Sequence, residues 1–411
     1  MTGASDIRAM DPRGISIADM TYVLPEERIA QQPLVDRDSS RLLEYRDGVV
    51  TDHHFHDLVG LLPANALMVL NDTRVINARL VFHRDSGARI EVLCLEPAEA
   101  RPVEEAFRDK GTGRWKGFVG NAKRWKAGEV LALRGERVVV QVEREEAELI
   151  RFSWTPPEMT FAEVLEDVGH VPLPPYMKRA DETADKVRYN TVFARHDGSV
   201  AAPTASLHFT PELLAALADK GVARTSLTLH VGAGTFLPVK SDRMADHDMH
   251  REQLRIPLAT LMTLLAHLDK GPVVAVGTTA MRTLESIYWH GVALIRGTAG
   301  EEIDVHQWQP YEQPQEALPD VREALRAVIE QVTGMPDQQL VGGTRLLIAP
   351  GYRFRFATGL ITNFHQPQST LLLLVAAFIG EHWRRVYQHA LDRGYRFLSY
   401  GDGSLLWRQG H

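Results

Sequence analysis

VVAVGTTAMRTLES, residues 273–286, is the stretch on which the fold turns. Four apolar residues read as a buried strand, Gly277-Thr278-Thr279 as a turn, and the residues after it as a helix that Thr278 or Thr279 can cap. Arg282 and Glu285, three apart, share a helix face and read as an ion pair. The same texture recurs on both sides. TSLTLHVG, RLLIAPG and GLITNFH are apolar strands ending in polar or glycine residues. PELLAALADKG, ATLMTLLAHLDKG and STLLLLVAAFIGEHWRRVYQHALDRG are helical, with Gly221, Gly271 and Gly394 at C-cap positions. Strand–loop–helix alternation predicts an α/β domain with a partly parallel sheet, in which ligands bind beyond the strand C-termini.

Upstream the pattern changes. ARIEVLCLE, EVLALRG and RVVVQVE are short β-rich runs; with ALMVLND they predict a small inserted β-barrel over residues 62–156, and EVLALRGERVVVQVE reads as a hairpin. Residues 98–114 read as a polar surface loop. The α/β domain is then residues 1–61 with 157–411. In YVLPEERIAQQP, Pro25 and its acidic followers predict a helix start, and Pro33 its end.

The chain has 411 residues, enough for two or three domains, and its 44% apolar and 24% charged content excludes wholesale disorder. The single cysteine, Cys94, excludes a disulfide framework or a multi-cysteine zinc site and points to a reducing, cytoplasmic setting. A formal charge of −7 means that any nucleic-acid contact must come from a local basic patch. The first twenty residues hold no apolar stretch of signal type. The longest apolar run, LLLLVAAFIG, is ten residues, too short to span a bilayer, so no membrane partner is expected.

The polar strand ends carry the chemistry. VAAPTASLHFTPELL puts His208 before a helix capped by Thr210 and Pro211. TLHVGAGTFLPV has His230, then Gly232 and Gly234, which let backbone approach a ligand or form a bulge. MHRE gives His250 and Glu252, an acid/base pair by type. ITNFHQPQST ends a strand with Thr362, Asn363 and His365. LPPYMKR and RYN interleave Lys178, Arg179 and Arg188 with tyrosines, a composition suited to single-stranded RNA as well as to a solvated loop. His53, His54 and His56 are close, without a spaced carboxylate, and read as a solvated loop rather than a metal site.

These segments, together with LPEERIAQQP, VLNDTRVINARL, PGYRFRF and YRFLSYGDGSLL, resemble the S-adenosylmethionine:tRNA ribosyltransferase-isomerase family of queuosine biosynthesis. The likeness runs from about Tyr22 to Leu406. It implies a transferase that moves the ribosyl part of S-adenosylmethionine, its co-substrate, onto 7-aminomethyl-7-deazaguanine at the tRNA wobble position. Adenine and methionine leave, the product is epoxyqueuosine, and the fold is an α/β domain plus a β-barrel. No metal is required. A monomer acting on tRNA in the cytoplasm is expected. Within the matching blocks, His208, Glu252, His230 and His365 are the groups suited to proton transfer, with His208 or Glu252 as base. Gly232, Gly234, Thr235, Gly277, Thr278 and Thr279 are expected around S-adenosylmethionine. Arg74, Lys178, Arg179, Arg188 and Asn363 are expected to face the RNA substrate; Asp72 and Arg74 read equally as a turn held by an ion pair. The chain departs from the family pattern at Asn77, Asn190, Phe193, Ser206, Gln366 and Gln368. That keeps two alternatives in view: a diverged S-adenosylmethionine-dependent paralogue with another acceptor, and a non-catalytic tRNA-binding protein.

Overall fold

In the centre of the molecule lie strands whose residues are buried on both faces. The computed structural model describes residues 11–99, 101–126, 128–232, 239 and 241–408. In chain order the first strands are β1 (Arg41–Arg46), β2 (Val49–His54), β3 (Leu67–Asn71) and the short β4 (Thr73–Val75). Then come β5 (Arg79–His83), β6 (Arg89–Pro97), β7 (Thr112–Gly120), β8 (Leu131–Arg134), β9 (Val139–Arg144) and β10 (Leu149–Thr155). The rest are β11 (His196–Ser199), β12 (Ala223–His230), β13 (Glu252–Pro257), β14 (Val273–Val276), β15 (Ile303–Val305), β16 (Gln339–Thr344), β17 (Gly359–Asn363) and β18 (Gly403–Trp407).

Ten of them form one mixed sheet in the order β15-β16-β13-β12-β3-β14-β17-β18-β1-β2. The run β12-β3-β14-β17 is parallel, as expected for an α/β layer. Alternate residues of β3 feed opposite cores: Leu67 and Val69 pack on one face with Met281 and Leu284, Met68 and Leu70 on the other with Phe209 and Leu213. A strand covered on both sides reads as a continuous apolar run. That is why ALMVLND, expected at the start of the barrel, belongs instead to the large sheet.

The barrel-like unit is therefore β5–β10, in the antiparallel order β5-β6-β7-β10-β9-β8, with its edge strands β5 and β8 close together. Here the alternation is clean. Phe82, Val92, Trp115, Val140, Val142 and Phe152 point inward, while β7 turns Arg114, Lys116 and Phe118 outward. The expected hairpin is present as β8–β9. β4 pairs in parallel with β11.

Other expectations need correction. PEERIA makes only a 3₁₀ turn over Glu26–Arg28, because Ile29 is drawn into a bridge with Phe397. RLLIAPG follows a strand rather than forming one. Its amides bond outside any ladder, Arg345 to the Val305 carbonyl and Ala349 to the Tyr311 hydroxyl. The long C-terminal helix breaks at Gly380 into Thr370–Ile379 and His382–Asp392. Residues 98–114 are not all surface loop, since a helical turn, Val103–Ala106, buries Val103 and Ala106 in the barrel core. Among the described residues, no helix is long and apolar enough to cross a membrane.

Candidate active site

The C-terminal ends of β14 and β17 open into a cleft. From β14 come Gly277, Thr278 and Thr279; from β17, Thr362, Asn363, Phe364 and His365; Ala201–Ala205, Tyr176, Tyr189 and Ser399 close the sides. This is where an open α/β sheet binds ligands.

Gly277 holds φ +92° and ψ 154°, a backbone region that side chains avoid. It is the N-cap of Thr278–Ile295, and no side chain caps that helix, contrary to the expected role of Thr278 or Thr279. Thr279 Oγ1 instead accepts a hydrogen bond from Asn71 Nδ2 at 3.3 Å. The first-turn amides have no intrahelical acceptor, so an eighteen-residue helix presents open N–H groups and the positive end of its dipole to the cleft.

Opposite chemistry sits on β17. His365 Nε2 lies 2.8 Å from Thr362 Oγ1, and burial lowers its pKa to about 3. The imidazole is thus neutral at ordinary pH. Asn363 is 3% exposed; its Nδ2 lies 3.4 Å from His208 Nε2, and its Oδ1 is buried without a hydrogen-bond partner. A buried carbonyl left unpaired costs about 1–3 kcal/mol and marks a place for a ligand donor. His208 lies behind Asn363, its ring 4.9 Å from that of Phe55; burial lowers it to about 4, although the Asp402 charge opposes.

The structure thus gathers Gly277, Thr278, Thr279, Asn363 and His365 in one cleft, with His208 one hydrogen bond away. Gly234 and Thr235 lie outside the described residues, and Gly232 sits beside His250. Glu252 is buried against Arg282, with His250 Nε2 at 3.4 Å. Burial would raise the Glu252 carboxyl, but the Arg282 charge and His250 hold it low. The expected Arg282–Glu285 pair is not formed. Glu285 instead accepts from Tyr352 Oη and from the Arg355 and Phe356 amides, and burial raises its pKa. His230 lies between Thr73 Oγ1, 2.9 Å from Nδ1, and Glu104 Oε1, 3.3 Å from Nε2. Gly198 makes room for that ring, since a Cβ there would meet His230 Nδ1 at 2.6 Å.

Among the expected RNA-facing residues, Arg179 is bidentate to buried Asp185 and Arg188 donates to the Leu34 and Val35 carbonyls. Lys178 pairs with Glu26, and Arg74 lies 3.7 Å from Asp197 rather than pairing with Asp72, which accepts from Thr228. Asn190 clamps Val75, its Oδ1 accepting the amide at 2.9 Å. Ser206 is buried with its hydroxyl unpartnered. On the surface, His54, His56 and Asp57 offer ligand atoms within 4.8 Å of one another, so a carboxylate does stand beside that histidine cluster. Sequence reasoning missed Glu104, which sits in a stretch without motif, and the partner of Arg282, which is thirty residues away in sequence.

An α/β sheet thus carries an uncapped helix N-terminus and a neutral histidine together at its C-terminal edge, the place where proteins of this architecture hold small-molecule ligands. The chain matches the family model described as queuosine biosynthesis protein over residues 17–406. It is similar to proteins named S-adenosylmethionine:tRNA ribosyltransferase-isomerase. With that of Anaeromyxobacter dehalogenans it shares 40% identity over 96% of this chain and 99% of the relative. With that of Magnetococcus marinus it shares 38% over 96% and 95%. A solved S-adenosylmethionine tRNA ribosyltransferase from Thermotoga maritima is 27% identical, covering 94% of this chain and 99% of its own, with a TM-score of 0.45. The chain belongs to the queuosine biosynthesis protein family.

Proposed function

We propose that this chain is a transferase that moves and isomerises the ribosyl part of S-adenosylmethionine onto 7-aminomethyl-7-deazaguanine at the tRNA wobble position. Adenine and methionine are released and epoxyqueuosine is formed. One observation carries the reading at the site. A single cleft combines the uncapped N-terminus of Thr278–Ile295, the neutral His365 and the unpaired Asn363 Oδ1.

Each part has a task. The amides of Thr278 and Thr279 receive the carboxylate of the methionine portion. Asn363 Oδ1 accepts an N–H or O–H of the nucleoside. A carbon next to a sulfonium is acidic and gives its proton to a base; His365, neutral but made a weak base by burial, offers hydrogen bonding beside it rather than a charge. His208 acts through Asn363 by fixing which way the amide points. Glu252 and His230, held by Arg282 and Glu104, fix the strand ends next to Gly232 and His250. Adenine leaves as its nitrogen takes up a proton, the neutral amine of the deazaguanine bonds to the sugar and gives up a proton to solvent, and the sulfonium C–S bond breaks with its electron pair on sulfur, releasing methionine. No step calls for a metal. The enzyme works as a monomer in the cytoplasm, in keeping with the buried free thiol of Cys94.

Adenine release from S-adenosylmethionine, with and without tRNA carrying the deazaguanine amine, tests this. Release that needs the modified tRNA and adds the matching mass to it is expected. Release independent of tRNA would favour another acceptor, and tRNA binding without release would favour a non-catalytic role.

A further inference from the structure

The RNA substrate needs cationic contacts, and Arg179 and Arg188, expected to supply them, turn their guanidinium groups onto Asp185 and the Leu34 and Val35 carbonyls. Free cations lie elsewhere. Residues 79–155 hold fifteen Lys and Arg against thirteen Asp and Glu, in a chain whose formal charge is −7. On the outer face of that sheet most cations are paired with acids: Arg114 with Glu145 at 2.9 Å, Lys116 with Glu96 at 2.8 Å, Arg151 with Glu143. The turn after β7 is different. Lys123, Arg124 and Lys126 are exposed, and among the described residues none forms an ion pair.

The turn that carries them is firmly built. Asn121 is left-handed at φ 59° and donates to the Arg89 carbonyl. Arg144 donates to the carbonyls of Ala122 and Trp125. Trp125 is buried, with Nε1 donating to the Glu129 carbonyl. Glu129, the nearest acid, is engaged by Arg84 and by the Lys126 amide. Every anchoring group is thus consumed within the turn, and the three cations remain for solvent. Phe118, 60% exposed, faces outward on the adjoining strand.

We propose that Lys123, Arg124 and Lys126 grip the phosphate backbone of the substrate tRNA. This rests on the reading of the chain as a tRNA-modifying enzyme. Position gives the grip its meaning. The segment before β7 abuts the large sheet through Glu104 and His230, and the turn lies at the opposite end of that nine-residue strand. At about 3.3 Å per residue the strand alone is some 25–30 Å long, and the turn follows its far end. It therefore meets backbone well away from the base being modified. Phosphate contacts of this kind position the RNA without reading sequence.

The test is steady-state adenine release with full-length modified tRNA, across a series of salt concentrations, for wild type and K123A/R124A/K126A. The expected result is a KM for tRNA raised about five- to twenty-fold, an unchanged kcat, and a log–log salt slope shallower by about one for each phosphate no longer neutralised. The charge-preserving K123R/K126R should retain the wild-type KM, and thermal unfolding reports whether each variant is folded. If the triple variant does not fold, K123A and R124A singly should each raise KM. An unchanged KM and slope beside normal adenine release would overturn the inference and leave the functional reading standing. A K123R/K126R variant as weak as the triple alanine would also overturn it. Wild type that neither binds tRNA nor releases adenine would overturn the functional reading itself.

Discussion

At Glu104, ionisation, the junction of the two sheets and a candidate histidine meet. Its carboxylate accepts from His230 Nε2 at 3.3 Å and stands 3.8 Å from Arg255. Partial burial pushes its pKa up, but the hydrogen bond from His230, its own backbone amide and the positive charges of His230 and Arg255 outweigh burial and hold it at about 2, against an ordinary 4.5. A depression of about 2.5 units is worth ~3 kcal/mol at most. With the side chain 24% exposed, solvent screening brings the expected contribution to about 1–3 kcal/mol. The folded pKa lies below the unfolded one. The contribution is therefore complete above the unfolded pKa of 4.5 and lost as pH falls through it toward 2. Glu104→Gln keeps an oxygen for His230 and removes the charge. In urea unfolding followed by tryptophan fluorescence, the variant should be less stable by about 1–3 kcal/mol at pH 7. The gap should hold to about pH 5.5 and narrow below about pH 4.5. A gap that stayed constant down to about pH 3.5 would refute the electrostatic argument, because packing rather than charge would then be responsible.

Arg282→Met leaves buried Glu252 without its guanidinium and should cost about 3–5 kcal/mol, seen as a lower thermal transition. Arg282→Lys should recover little, since Arg282 reaches the Leu346 carbonyl from Nε and Glu252 from Nη1, two separated nitrogens that one ammonium does not replace. Gly277→Ala forces a side chain to φ +92° and should cost about 1–3 kcal/mol while raising KM for S-adenosylmethionine, the helix amides being displaced. Burial lowers His208 to about 4 and His365 to about 3, so below pH 6.5 the unfolded chain takes up protons that the folded chain refuses. Stability should therefore fall as pH drops from about 6.5 toward about 4, and His365→Phe should flatten that decline; equal slopes in the two proteins would remove His365 as its source.

Much of this was written in local patterns. The α/β layer followed from strand–Gly–helix alternation, because a strand buried on both faces and a helix after a glycine turn leave signatures a few residues long. Gly277, Asn363 and His365 were legible for the same reason: polar residues at the end of an apolar strand have to face a cleft or be capped. The unread features all depend on long-range contact. β3 and the barrel strands are alike in composition, and only the helices on both faces of β3 separate them. Arg282 has an acid three residues on in its helix, yet the partner it chose is on a strand, β13, and Glu285 was captured by the Tyr352 hydroxyl and two backbone amides instead. Glu104 lay in a polar stretch whose Val103 and Ala106 anchor a helical turn, so its carboxylate reaches His230 from a segment that periodicity could not mark. Arg179 and Arg188 have the composition of an RNA patch, and nothing local reveals that Asp185 and two carbonyls consume them.

The placement of charge fits the chemistry proposed. Removing a proton from carbon beside a sulfonium requires a base that is unprotonated when a cationic substrate arrives. A histidine near its ordinary pKa would spend part of its time as a cation and repel that substrate. Burial of His365 and His208 keeps both neutral, and the positive potential in the cleft comes instead from helix amides, which attract a carboxylate without offering a proton for transfer. The formal cations are kept elsewhere: Arg282 is neutralised by Glu252, Arg179 by Asp185, and the unpaired trio Lys123, Arg124 and Lys126 stands at the far end of β7. A cleft that no free cation lines among the described residues and a distant grip on polyanionic RNA answer opposite electrostatic demands. One compact domain would bring those demands into conflict, and the inserted sheet separates them.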